Sequence, residues 1–135
     1  LLLICGDGSR RTKLESLVKS LNIKGNVVFL GWQKNVFSYM KSADLFFSFS
    51  DFEGYGMSIV EAGLCGCPIV CTKTGIAVSW FKDKERCVFI DNSNISDFSD
   101  KMDIIISDRV FSENLISNTF KILNDNYSFE KYVSE

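Results

Sequence analysis

The 135 residues contain no histidine. Every Ser–His or Cys–His nucleophile scheme is thereby removed, because each needs an imidazole as its base. A zinc site is disfavoured too. The five cysteines (Cys5, Cys65, Cys67, Cys71 and Cys87) lack finger spacing, and no histidine completes a set. No single sign of charge dominates: 15 basic residues face 17 acidic ones, net −2. A nucleic-acid partner drawn by bulk electrostatics is not expected. No apolar run is long enough to span a bilayer, and nothing reads as a signal peptide. No glycine-rich loop leads into Lys-Ser/Thr, so a P-loop is excluded. The odd number of cysteines, several within apolar runs, points to buried, reduced thiols in a cytoplasmic setting. There is no initiator Met before Leu1, and the chain is expected to be a piece of a longer protein.

What is present suffices for one core. Hydrophobic residues make up 46% and aromatics 13%. Surface scaling gives about 7,000 Å² folded against about 22,000 Å² unfolded, so roughly two-thirds of the surface can be buried. The expectation is one domain over residues 1–135.

The apolar pattern alternates between strand-like runs and helical spacing. Leu1–Cys5 is a continuous run ending in Gly6-Asp7-Gly8. Leu14, Leu17, Val18 and Leu21 then mark one helical face. Lys24-Gly25-Asn26 predicts a turn. Further runs occupy Val27–Leu30, Leu45–Phe49, Ile69–Cys71 and Cys87–Ile90. Short helices are predicted near Val36, Phe37 and Met40, and over Met57–Leu64. After Asp91 the pattern is helical. Ile95, Phe98, Met102 and Ile105-Ile106 share a face, capped by Asn94 or Ser93. Val110, Leu115, Phe120 and Leu123 suggest another helix, and Phe129 and Tyr132 a last short one. Glycine-bounded strands alternating with helical segments predict βαβ units: an α/β class, Rossmann-like, with a parallel sheet flanked by helices and a helical C-terminal tail. Ligands in such sheets bind at the carboxyl ends of the strands.

That edge holds the segment from Ser50 to Gly63. Gly54 and Gly56 flank Tyr55 where a strand hands over to a helix. Glycine permits close backbone approach, and the helix start offers free N–H groups and a positive dipole end suited to a diphosphate. Glu53 precedes this helix and Glu61 lies inside it. A carboxylate only accepts hydrogen bonds, so a vicinal diol is a natural partner. On the residues alone, a paired Glu61 and a solvated Glu53 stand as the alternative.

The segment Glu53–Thr72 resembles the signature of the group 1 (family 4) retaining glycosyltransferases. That signature is Glu, seven residues, Glu and Ala, here Glu53, Glu61 and Ala62, followed by Gly-x-Pro, here Gly66-Cys67-Pro68, and an apolar strand. Leu2–Gly8, Val27–Gly31 and Ser42–Phe46 resemble the family's earlier segments in order. The resemblance covers roughly residues 1–90.

It implies a GT-B fold, of which this chain matches most of the C-terminal, donor-binding domain. Glu53 would sit by the donor hexose as the catalytic-site carboxylate. Gly54, Tyr55, Gly56, Met57 and Ser58 would approach the sugar and diphosphate. Glu61 would hold the ribose diol, while Gly31, Gln33 and Val36 would border the nucleobase, with Trp32 open to stacking or plain exposure. No metal and no cofactor are implied. The partners would be a nucleotide sugar and a glycan or polyprenyl-linked acceptor in surface polysaccharide (O-antigen or capsule) synthesis. The acceptor domain would lie elsewhere in the polypeptide, with at most peripheral membrane association. The chain alone would bind donor weakly and turn over nothing.

The sequence departs from the family at Thr74–Ser79, which has one glycine where a pair is usual and Ser79 or Trp80 where a Glu is usual. The family's upstream Arg and Lys clamp is not in this stretch. Arg10 and Arg11 read as a solvated helix start rather than as replacements. The competing readings are weaker. An NAD fingerprint fails because Arg11 stands at its third glycine. A non-catalytic module of the same fold is disfavoured by Glu53 and Glu61 being present together. An epimerase or phosphorylase would need His or a pyridoxal-lysine context.

Overall fold

The computed structural model describes residues 1–91 and 94–127. They fall into two units, residues 1–36 and residues from 37 on, each built on its own parallel sheet. All pairing between strands is parallel, as the alternating pattern required.

In the first unit β1 (Leu2–Cys5) pairs with β2 (Val27–Gly31). Leu2 lies opposite Val27 and Ile4 opposite Phe29, and the register slips so that Cys5 meets Gly31. The amide of Gly6 closes this end by donating to the Gly31 carbonyl at 2.7 Å. Helix α1 (Arg11–Ser20) makes the crossover, and a 3-10 turn over Lys24–Asn26 leads into β2. Only part of the expected apolar face of α1 is covered. Val18 is half-buried, while Leu14, Leu17 and Leu21 are exposed. Two strands about 4.8 Å apart are narrower than a helix of about 10 Å diameter and cannot cover the whole stripe. Arg11 is not simply solvated. It pairs with Asp7 at 3.3 Å and Glu15 at 2.8 Å and lies over the Phe29 ring.

Helix α2 (Val36–Ser42) follows, burying Met40. In the second unit β3 (Phe46–Ser48), β4 (Ile69–Cys71) and β5 (Val88–Phe89) form a sheet in that order. Central β4 is fully buried, which explains its unbroken apolar run. Helices α3 (Met57–Leu64) and α4 (Ile76–Trp80) make the crossovers. The pattern of residues 76–80 does not announce α4, since five residues are too few to display a helical period. Helices α5 (Ile95–Ser107) and α6 (Arg109–Tyr127) complete the described chain.

Asn94 caps α5, its Oδ1 accepting from the Asp97 amide at 3.3 Å; Ser93, the other cap candidate, lies outside the described residues. So does the short helix expected around Phe129 and Tyr132, and so does the side chain of Ile95. On α5, Phe98 and Met102 are half-buried and Ile105 is buried, but Ile106 is exposed. Each residue turns about 100° around a helix, so adjacent positions cannot share one narrow face. The buried row of α6 is Leu115, Thr119 and Leu123, at i, i+4 and i+8, while Val110 and Phe120 are exposed. Val70, Val88, Ile90, Ile105 and Leu115 form the core under Phe47, Phe98 and Phe111.

Helices α3 and α6 meet at Gly63. A Cβ there would lie 2.5 Å from Leu123 Cδ1 and 2.8 Å from Thr119 Cγ2, two buried side chains with nowhere to move. Gly63→Ala is expected to lower stability by about 1–3 kcal/mol in urea unfolding, the usual cost of overpacking.

All five thiols are free. Cys67, Cys71 and Cys87 are buried as expected, but Cys65 is half-buried and Cys5 exposed, because Cys5 ends an edge strand. Burial, with Cys65 and Asp44 nearby, pushes the Cys67 thiol up to about 12. A hydrogen bond with Cys71, then burial, pushes Cys87 up as well. A raised folded-state value favours the fold fully below the unfolded value of 9.0, and that contribution is lost as pH rises toward 12. Native alkylation at about pH 8 should therefore label Cys5 and Cys65 first. Cys67, Cys71 and Cys87 should react only in denaturant, as peptide mass mapping will show.

Candidate functional site

The carboxyl edge of the second sheet carries the candidates for the sugar, the diphosphate and the ribose. The chain leaves β3 at Ser48 and reaches α3 through residues 49–56. Gly56 is the N-cap of α3, with φ 93° and ψ 47°, a left-handed conformation that side chains other than glycine resist. No side chain caps α3. The first helical amides, those of Met57 and Ser58, have no carbonyl partner inside the helix, and the dipole leaves positive charge there. Met57 and Ser58 are exposed residues.

Glu53 is half-buried and not merely solvated. Ser50 Oγ donates to its Oε1 at 2.7 Å. Ser50 is held in turn, because Thr72 Oγ1 at the end of β4 donates to its carbonyl at 2.6 Å. Glu61 is half-buried within α3, and no ion pair among the described residues involves it. The carboxylate thus keeps its acceptor capacity.

The segment after β4 clamps the same loop. The Ile76 amide donates to the Tyr55 carbonyl at 2.7 Å. Gly75, at φ 53° and ψ −135°, lies so close that a Cβ would come within 2.9 Å of the Tyr55 carbonyl carbon and 3.1 Å of Glu53 Cβ. The single glycine of this departing stretch therefore sits where the chains touch. Ile76 is buried as the first residue of α4, and Ser79 is exposed.

An open polar cavity of about 540 Å³ lies on this edge. It is lined by Ser50, Asp51, Thr72, Lys73, Asp97 and Lys101 among others. Glu53 and Glu61 are not in its lining; Ser50 is the residue that the cavity and Glu53 share. Lys101 is already committed to Asp97 and the Phe89 carbonyl. The Thr74 hydroxyl is buried without a hydrogen-bond partner among the described residues. Among those residues, no group of three or more His, Cys, Asp or Glu side chains could hold a metal ion.

The nucleobase candidates belong to the first unit. Gly31 ends β2 at φ 66°. Gln33 is half-buried, its Nε2 donating to the Leu30 carbonyl at 2.7 Å. Val36 opens α2 half-buried, and Trp32 is exposed.

Residues 1–122 match the family described as Glycosyl transferases group 1. The chain belongs to that family. Among curated relatives, a Campylobacter jejuni N-acetylgalactosamine-N,N'-diacetylbacillosaminyl-diphospho-undecaprenol 4-alpha-N-acetylgalactosaminyltransferase is 37% identical over 97 residues, 69% of this chain and 26% of its own length. The N-acetyl-alpha-D-glucosaminyl L-malate synthase of Bacillus anthracis is 27% identical over 99% of this chain and 35% of its own. The chain thus spans about a quarter to a third of these relatives. Among solved structures, a point mutant of Staphylococcus aureus TarM in complex with Fondaparinux, alpha-GlcNAc-glycerol and UDP superposes with TM-score 0.89 at 25% identity, over 98% of this chain and 27% of that one. The C-terminal domain of a Francisella tularensis group 1 protein matches with TM-score 0.77 at 24% identity, over 88% of this chain and 63% of that one. The fold is that of GT-B C-terminal domains.

Within the group 1 chain, Glu53–Ser58 and Glu61 form one continuous loop-and-helix element, as their spacing implied. What sequence reasoning missed is the support: Ser50, Thr72 and Gly75. The signal available was modest, a hydroxyl three residues before Glu53 and another at the end of the next strand. Gly75→Ala is expected to cost about 1–3 kcal/mol in urea unfolding, from a strained backbone and the contact with Tyr55. A fully stable variant would show that the two loops do not touch.

Proposed function

We propose that this chain is the nucleotide-sugar-binding part of a retaining glycosyltransferase that passes a hexosyl or N-acetylhexosaminyl group to a glycan or lipid-linked acceptor. The observation that carries the reading is one element: a hydrogen-bonded Glu53, an uncapped helix start, and Glu61 without an ion pair one turn and more beyond it. The amides of Gly54 to Ser58 meet the diphosphate, whose growing negative charge as leaving group is stabilised by the α3 dipole. Glu61 accepts from the two ribose hydroxyls, and Glu53 accepts from a hydroxyl of the donor hexose. Gly31, Gln33 and Val36 border the base. In this reading no metal is used, because the α3 amides take that electrostatic role.

The reading draws support from the relatives. The Campylobacter jejuni enzyme acts on an undecaprenol-linked sugar by its name, and a Rhizobium meliloti relative is named for lipopolysaccharide core biosynthesis. The TarM mutant was crystallised with UDP. The setting in this reading is cytoplasmic synthesis of a bacterial surface polysaccharide (O-antigen or capsule), with acceptor binding by another domain of the polypeptide. No helix among the described residues is long and apolar enough to cross a membrane.

The test uses the full-length enzyme and a panel of UDP, GDP and ADP sugars. Glu61→Ala should weaken nucleotide binding in calorimetry by roughly tenfold or more, the value of one or two hydrogen bonds to a charged group. Glu53→Ala should keep nucleotide affinity and lose transfer. Unchanged nucleotide affinity in the Glu61 variant would remove the ribose role, and a response to NAD alone would replace the whole reading with a dehydrogenase.

A further inference from the structure

We propose that Ser50 is a positioning residue for Glu53 and that Thr72 fixes Ser50 in turn; the inference rests on the donor-site reading above and names how that site is set. A glutamate side chain turns about three torsions and does not hold one orientation unaided. Here the Ser50 hydroxyl donates to Oε1 at 2.7 Å, and a carboxylate can take such a bond only as acceptor. That leaves Oε2 to accept from a ligand hydroxyl.

Ser50 is itself constrained from two sides. Its carbonyl accepts from Thr72 Oγ1 at 2.6 Å, and Thr72 is buried and anchored by its amide to the Ser48 carbonyl at 3.1 Å. Its hydroxyl also lies 3.5 Å from Ser48 Oγ. The orientation of Glu53 therefore runs from the ends of β3 and β4 through Ser50, and Gly75 lies so near that a Cβ built on it would come within 3.1 Å of Glu53 Cβ. Thr72 stands just beyond the end of β4 and ties the loop residue Ser50, two positions past β3, to that strand end. Ser50 is given no ligand of its own in this proposal, and its effect on transfer runs through Glu53.

Two measurements test this. In the full-length enzyme with its preferred nucleotide sugar, Ser50→Ala should lower kcat roughly tenfold or more, the value of one hydrogen bond to a carboxylate. Affinity for the nucleoside diphosphate alone should stay within about twofold, because Glu61 and the α3 amides are untouched. Ser50→Thr, which keeps the hydroxyl, should recover most of kcat. A wild-type kcat in Ser50→Ala overturns the proposal. So does loss of nucleotide affinity and melting temperature together without rescue by Thr, which marks a merely structural residue. The second measurement is a crystal structure of Ser50→Ala, in which the Glu53 carboxylate should leave its wild-type place. An unmoved carboxylate overturns the proposal whatever the enzyme does with sugar donors. If the wild-type enzyme uses no nucleotide sugar, the functional reading fails by itself, and the crystal structure still decides the role of Ser50.

Discussion

The contact between α3 and α6 at Gly63 is the constraint on which the second unit depends. Helix α3 carries Glu61 inside it and free amides at its start, so its axis decides where both point. Its buried residues are Ile59, Val60, Ala62 and Gly63. The last of these lets Leu123 and Thr119 of α6 come nearer than any Cβ would tolerate. Close packing is worth little per atom, but the interior is dense enough that small shifts are felt. Helix α6 is tied down in turn: Thr119 Oγ1 bonds the Arg86 carbonyl and Asn118 Nδ2 the Glu85 carbonyl at 3.0 Å. The N-terminal end of α3 is thus set by packing at its other end.

The site loop is held by a different kind of force. Residues 49–56 lack a ladder of their own, and their polar groups must be satisfied locally. Two of them are satisfied from just beyond β4 and the segment after it: Thr72 takes the Ser50 carbonyl, and the Ile76 amide takes that of Tyr55. Glycine at 56 and 75 supplies the conformations that let these bonds close. The result is a loop whose shape is over-determined before any ligand arrives, which is what a site relying on electrostatic preorganisation requires.

Much of this was legible in the sequence where many residues act together. Continuous apolar runs announced each strand, and central β4 is as buried as its unbroken run implies. The two glutamates eight positions apart, with glycines between, marked the loop-and-helix junction that is found. Legibility failed where one turn of chain or one contact decides. Helix α4 is too short to show a period. Ile106, Val110 and Phe120 are apolar yet exposed, because a helix presents a narrow face and only the neighbouring element says which. The exposed row on α1 has the same origin: amphipathic spacing reports a face, not what covers it. Ser50, Thr72 and Gly75 were invisible as a set, since residues 22 and 25 positions apart become partners only through the β3–β4 register.

By itself the sequence determined the class of fold, the order of strands and helices and the family, and it marked candidate residues for a diol and a diphosphate. These follow from composition, local periodicity and side-chain chemistry, which are properties of neighbours along the chain. Only the tertiary structure decided that Glu53 is hydrogen-bonded rather than solvated, that Glu61 stands without an ion pair among the described residues, and that three cysteines are shielded while Cys5 is not. Each of those depends on which distant segments come within a few ångströms, and that is settled by packing, not by spacing.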